Sequence, residues 1–239
     1  MKFTSHLIGA TFAIATLAAS SAAFAGSATY SVPGTSDPFL SGMPAGTNCC
    51  VEDSAPAESP IAAGAVTGGE TLTFSGVTGG VSYTGGTPTD GPNGNSGNLI
   101  DTATYEGGAT VIDGIAGYNN APVDALVGVF LTSALPTADP ATTDLDFSSP
   151  TTTPGLQQIF FIGDGSLGAI TVPTGATRLF LGAVDGFGWD NNSGAIDVTV
   201  NGVTGVPEPA SWALLLAGVV GLGSALRFTR DRQLSAVRA

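Results

Sequence analysis

Histidine and lysine are almost absent from these 239 residues: there is one of each, His6 and Lys2. Both fall in a stretch that reads as a leader, so the rest of the chain can build no His-dependent triad, no histidine-ligated zinc site and no Ser–Lys dyad. Cysteine is limited to the adjacent pair Cys49-Cys50. Catalysis, if there were any, would have to run on carboxylates or on those two sulfurs. No stretch between residues 26 and 205 has the charged face of a surface helix, and Gly, Thr, Ser, Pro and Asn are abundant, which points to β structure.

What the chain has in excess is acid. Of six basic residues only Arg178 lies between 26 and 205; of nineteen acids only Glu208 and Asp231 lie outside, which leaves seventeen and a formal charge of −16 for this region. Such a field repels phosphate backbones and anionic membranes and attracts divalent cations, so nucleic acid is excluded as a partner. The region is long enough for a single domain with a real core.

The two ends read as export signals. Lys2 precedes the apolar stretch Leu7 to Ala19, and Ala23-Phe24-Ala25 offers the small residues that signal peptidase requires, so residues 1–25 are expected to be a helical signal peptide cleaved after Ala25. At the other end Val206-Pro207-Glu208-Pro209 leads into an apolar run, and Arg227, Arg230, Arg232 and Arg238 follow it. A helix over 210–228 would be about 28 Å long at about 1.5 Å per residue, just enough to cross a membrane, with residues 233–239 on the cytoplasmic side. Motif, apolar helix and arginines over 206–232 resemble the PEP-CTERM sorting signal of bacteria that make exopolysaccharide. The resemblance implies processing near Pro207, Glu208 and Pro209 by a transpeptidase of the exosortase family. An inner-membrane-anchored precursor would then reach the cell surface or extracellular matrix.

Between the signals, short runs punctuated by turn residues read as strands. In Glu70 to Ser75, Leu72 and Phe74 share one face; in Ala195 to Asn201, Ile196, Val198 and Val200 do the same. Ala125 to Leu131, Gln158 to Ile162, Ala169 to Val172 and Thr177 to Val184 are continuously apolar and are expected to be central strands; Thr29 to Val32 and Thr110 to Ile112 are weaker candidates. The expected fold is all-β, a jelly-roll-like β-sandwich over residues 26–205. Long polar segments interrupt it at 34–64, 84–101 and 132–156, the first expected to be partly disordered.

The densest group of oxygen ligands is Asp185-Gly186-Phe187-Gly188-Trp189-Asp190-Asn191-Asn192-Ser193-Gly194, between two strands. Calcium takes six to eight oxygens, and a glycine-rich loop can curl Asp185, Asn191 and Asn192 around one ion; the alternative is a hairpin in which the same residues only satisfy turn geometry. Trp189 and Phe187 beside such an ion invite a sugar-stacking role, against a role in capping the core. Tyr118 is a weaker candidate for the same role. Asp90, in a loop that would approach the site, is a candidate for metal or ligand. In Cys49-Cys50 the Cα atoms are about 3.8 Å apart, below the usual disulfide range, so a bond there is expected to be strained and to act as a loop constraint.

Residues 66–83, 125–131 and 169–201 resemble the small soluble bacterial lectins that bind galactose through a calcium ion on a β-sandwich. The matching stretches are Gly69 to Phe74, Val81-Ser82-Tyr83, Ala125-Leu126-Val127, the approach from Val172-Pro173 to Leu181, and Asn191-Asn192-Ser193-Gly194 before an alternating strand. The resemblance implies ligation by Asp185, Asn191, Asn192 and the Tyr83 carbonyl. The loop from Asp185 to the Asn pair is one residue shorter than in those lectins, and residues 84–98 hold no counterpart of their sugar-gripping His and Gln, so calcium carries over better than galactose.

Together these readings describe an exported, surface-sorted, non-enzymatic calcium-binding protein that contacts exopolysaccharide or belongs to the matrix. The alternatives are a glycoside hydrolase or lyase using Asp185 with Asp190 or Asp90, and a purely structural matrix component.

Overall fold

The computed structural model describes residues 25–50, 52–138 and 143–204. Of the signal peptide expected over 1–25, residues 1–24 lie outside the described residues, as do Pro207, Glu208 and Pro209 of the expected sorting motif, the helix expected at 210–228 and the tail expected at 233–239. Among those described, no helix is long and apolar enough to cross a membrane.

The chain is all-β. Eight strands share one hydrogen-bonded network: β1 (Ala25–Pro33), β2 (Ile61–Ala65), β3 (Thr71–Ser82), β4 (Leu126–Leu131), β5 (Ile159–Phe161), β6 (Ile170–Thr171), β7 (Arg178–Ala183) and β8 (Ser193–Thr204). One half has the order β5-β4-β7-β2; in the other β8 lies between β1 and β3, with β6 beyond β3. The halves meet in register at the pair Thr204–Ala65.

Inward residues of both halves form one apolar core. Leu126 and Phe130 of β4 and Leu179 and Leu181 of β7 join Leu72, Phe74, Ile196, Val198 and Val200. The period-2 alternation read from β3 and β8 is what delivers the last five. Phe130 stacks on Phe160 at 4.9 Å between ring centroids.

A second core explains why β4 is buried at every position. Its other face, Val127, Val129 and Leu131, is covered with Phe180 by Phe39, Leu40, Tyr118, Phe147 and Trp189. The segment 34–64, expected to be partly disordered, supplies much of this cover: Asp37 caps the turn Pro38–Leu40 through a 2.8 Å bond from the Phe39 N–H, and the side chains of Phe39 and Leu40 are buried. The segment crosses β7 at Gly182, where a Cβ would come within 2.7 Å of the Ser36 carbonyl oxygen.

Two expectations about position fail. β5 and β6 were expected to be central but terminate the strand order. In β5, Phe160 enters the first core and Ile159 the second, so burial on both sides and not centrality makes that run apolar; at β6, Ile170 and the following Val172 enter the first core alone. Between the main strands lie shorter pairs: Asn48–Cys49 with Asp53–Ser54, Asn95–Ile100 with Ala121–Val123, Val111–Ile112 with Ile115–Ala116, and, in parallel, Tyr118–Asn119 with Leu145–Asp146.

Arg178, the one base of the region, serves the fold. Its Nε donates to the Thr132 carbonyl at 2.7 Å, its guanidinium donates to the Ala134 carbonyl at 2.6 Å, and it lies 5.4 Å from the Phe180 ring centre. Replacing it with Ala should cost about 2 kcal/mol and speed proteolysis near residues 132–138, as followed by mass spectrometry of a timed digest; an unchanged cleavage rate would mean the clamp is idle.

Candidate metal centre

Four segments converge at one corner. β7 ends at Ala183 and leads to Asp185; β8 starts at Ser193, immediately after Asn192. Ser193 pairs with Ser82, so Tyr83 follows beside Asn192. Asp124, just before β4, donates its N–H to the Val184 carbonyl at 2.7 Å and accepts the Tyr83 N–H on Oδ2 at 3.2 Å. Asp124 holds a left-handed φ of 70°, a conformation that Asp tolerates better than most residues.

The link from Asp185 to Asn192 is a bend followed by the short 3₁₀ turn Trp189–Asn191, entered through Gly188 at φ 73°. Two amides of this bend are held from elsewhere: Gly188 N–H donates to Asp53 Oδ2 at 3.2 Å and Asp190 N–H to Asp53 Oδ1 at 2.9 Å.

The side chains that meet here are short of donors. Asp124, Asp185 and Asn192 are all buried. Asp185 Oδ1 accepts the Gly186 N–H at 2.6 Å, and the Asn192 Nδ2 donates to the Gly34 carbonyl at 3.1 Å. Asp124 Oδ1, Asp185 Oδ2 and Asn192 Oδ1 are buried without any hydrogen-bond partner. A buried oxygen without a partner is costly, and among the described residues no cationic side chain is bonded to these three.

Burial pushes the Asp185 carboxyl up to about 6 against the opposing Gly186 N–H, with the Asp53 charge adding to the rise. Burial likewise lifts Asp124 to about 7; the Tyr83 N–H opposes this, while the neighbouring charges of Asp90 and Asp185 reinforce it. At mildly acidic pH these groups therefore hold protons that exposed carboxylates would have lost.

Of the residues singled out in sequence, Asp185, Asn192 and Tyr83 come together here, and exposed Asn191 lines the adjoining pocket. Asp90 approaches through Asp124, and its Oδ2 accepts from Asn95 Nδ2 at 3.3 Å. Trp189 is a correction: it is fully buried, its Nε1 donates to the Ala183 carbonyl at 2.9 Å, and it meets Phe39 edge-on at 6.1 Å. It cannot stack on a sugar, because the 34–41 excursion closes over it. Tyr118 is buried as well, its hydroxyl bonded to the Asp185 carbonyl. The exposed aromatic is Phe187, whose ring lies 6.0 Å from that of Tyr105. Both line a pocket of about 500 Å³ with Tyr83, Asn98, Asp185 and Asn191.

Asp124 escaped the sequence reading, although it left a signal: it is a lone acid inside Ala121-Pro122-Val123-Asp124-Ala125-Leu126-Val127, with no basic residue nearby to neutralise it. Asp53 left none. Cys49 and Cys50 are bonded to each other. A carboxylate oxygen of Asp37 and the two sulfurs lie within 4.8 Å of one another, but a metal needs thiolates, and these sulfurs are committed to their bond.

The chain matches no protein-family model, no curated protein and no solved structure.

Proposed function

We propose that this is an exported, non-enzymatic β-sandwich of jelly-roll-like form that binds calcium at the Asp124–Asp185–Asn192 corner and, beside it, a polysaccharide of the cell surface or matrix. The observation that carries the reading is the set of three buried, unpartnered oxygens on Asp124, Asp185 and Asn192. Two carboxylates, carboxamides from Asn192 and Asn191, and the Tyr83 carbonyl form a hard, all-oxygen donor set of the kind calcium takes. The similarity of residues 169–201 to calcium-dependent lectins supports the same ion. The strand arrangement, two halves over a shared core, supports the sandwich.

Delivery rests on the PEP-CTERM-like sequence at 206–232, with signal peptidase and an exosortase-type transpeptidase as processing partners. Pairing of Ala25 with Thr204 brings the first and last described residues to one place, whereas Asn192 precedes the opposite end of β8. Eleven steps of about 3.3 Å separate Ser193 from Thr204, so the site would face outward roughly 36 Å from the tether.

Calorimetric titration with calcium tests the ion: the protein should bind one equivalent with a Kd of about 10⁻⁴ to 10⁻³ M, and Asp185→Ala should abolish the heat. A glycan array with and without chelator then tests the ligand, with Phe187→Ala expected to lose glycan while keeping calcium. Identical titrations for both proteins would remove the metal reading. A second reading, a carboxylate-dependent glycoside hydrolase, draws on the raised Asp124 and Asp185 beside the pocket. It requires release of reducing sugar from an array-positive glycan, lost in Asp124→Asn.

A further inference from the structure

Asp53 is only 1% exposed, and no side-chain cation is bonded to it. Its carboxylate is instead occupied by the Gly188 and Asp190 N–H groups, more than 130 residues away along the chain. These amides open the 3₁₀ turn Trp189–Asn191, which ends at Asn192, so the two oxygens of Asp53 close the turn from outside as a helix cap would. The loop has no cap of its own: Gly188 has no side chain and lies in the left-handed region, where the chain reverses with little intrinsic stiffness.

The origin of Asp53 is fixed as well. It pairs with Cys49 in the hairpin Asn48–Cys49/Asp53–Ser54, Cys49 is buried in the second core, and Ser54 N–H is held by the Glu58 carboxylate at 2.8 Å. The segment that carries Asp53 is thus anchored by its own contacts and holds the loop at Gly188 and Asp190.

We propose that Asp53 is a positioning residue: its two bonds to the bend fix where Asn191 and Asn192 present their oxygens, and so set the cation affinity of the corner. This rests on the calcium reading above and adds to it a control point that does not touch the ion. Residues that orient metal ligands from outside commonly change affinity by about 10–100-fold when altered.

The test uses calcium and terbium as probes on the intact protein. Asp53→Asn keeps one accepting oxygen but turns an amide donor toward a backbone donor; Asp53→Ala removes both acceptors. Calcium titrations, run well below each variant's Tm, should show affinity weakened about tenfold in Asp53→Asn and further in Asp53→Ala. Asp197→Asn, an exposed acid on β8, should bind like the wild type. Loss of the Asp53 charge alone would lower affinity without changing how many ligands reach the ion. Terbium luminescence lifetimes in H₂O and D₂O count bound waters and separate the two causes: positioning predicts at least one extra water in the variants. If Asp53→Ala does not fold, Asp53→Asn carries the test. Wild-type affinity in the variants, or weakened affinity with an unchanged water count, overturns the proposal. No calcium binding by the wild type overturns the reading beneath it instead.

Discussion

In chelator the protein should melt at a higher temperature at pH 5 than at pH 8, and calcium should restore much of the difference at pH 8 while doing nothing at pH 5. Asp124 and Asp185 are raised to about 7 and about 6 in the folded protein, against about 3.9 for an unfolded Asp. The folded state therefore keeps protons that the unfolded chain has released. The associated stability is fully present below pH 3.9 and is lost as pH rises through 6 and 7. Each carboxyl contributes a slope of about 1.4 kcal/mol per pH unit between its two values. Asp53, raised to about 6 by burial, adds to the same trend, and Asp37, Glu106, Asp113 and Asp144 are shifted in the same direction by burial. The pH effect alone thus does not identify the site; its coupling to calcium does.

Calcium requires the ionised carboxylates, so it stabilises where they are otherwise most costly. At about 10 mM calcium and a Kd of about 10⁻⁴ to 10⁻³ M the gain is about 1.4–2.7 kcal/mol. For a domain of this size that is a rise in Tm of roughly 3–10 °C. Asp124→Asn should make the fall in Tm above pH 5 shallower and lose the calcium shift together. Differential scanning calorimetry across pH 5–8 reads both, and equal Tm values with and without calcium at pH 8 would refute the expectation.

Trp189→Ala should destabilise the protein by about 3–5 kcal/mol, a fall in Tm of roughly 6–20 °C. The ring is fully buried against Phe39 and joins the 34–41 excursion, the end of β7 and the 185–192 loop. Its removal leaves a cavity that these elements cannot fill, since each is fixed by its own hydrogen bonds. Trp189→Phe, which keeps most of the packing and loses the bond to Ala183, should cost about 1–2 kcal/mol. Chemical denaturation of the three proteins decides the matter. A sugar-stacking tryptophan would leave the denaturation midpoint unchanged and abolish only glycan binding.

The contrast between Trp189 and Phe187 marks the limit of what could be read from the chain. Both aromatics occupy one glycine-rich loop, and composition cannot say which turns inward; the 34–41 excursion decides it by placing Phe39 over Trp189. β2 went unread because Ile61-Ala62-Ala63-Gly64-Ala65 has little strand preference of its own and is extended by pairing with β7. Likewise, residues 34–64 looked like a mobile polar loop because their apolar residues have no period, although Phe39 and Leu40 suffice to anchor them.

The sequence alone determined the all-β class, the inward faces of β3 and β8, the acidity of the region and the loop containing Asp185, Asn191 and Asn192. Those features are local: side-chain alternation is a property of an extended backbone, and charge is a property of composition. Only the tertiary structure decided that Asp124 joins that loop, that Asp53 braces it and that Trp189 leaves it for the core. Each of these depends on strands and excursions tens to more than a hundred residues apart meeting at one corner, and no local periodicity encodes such a meeting.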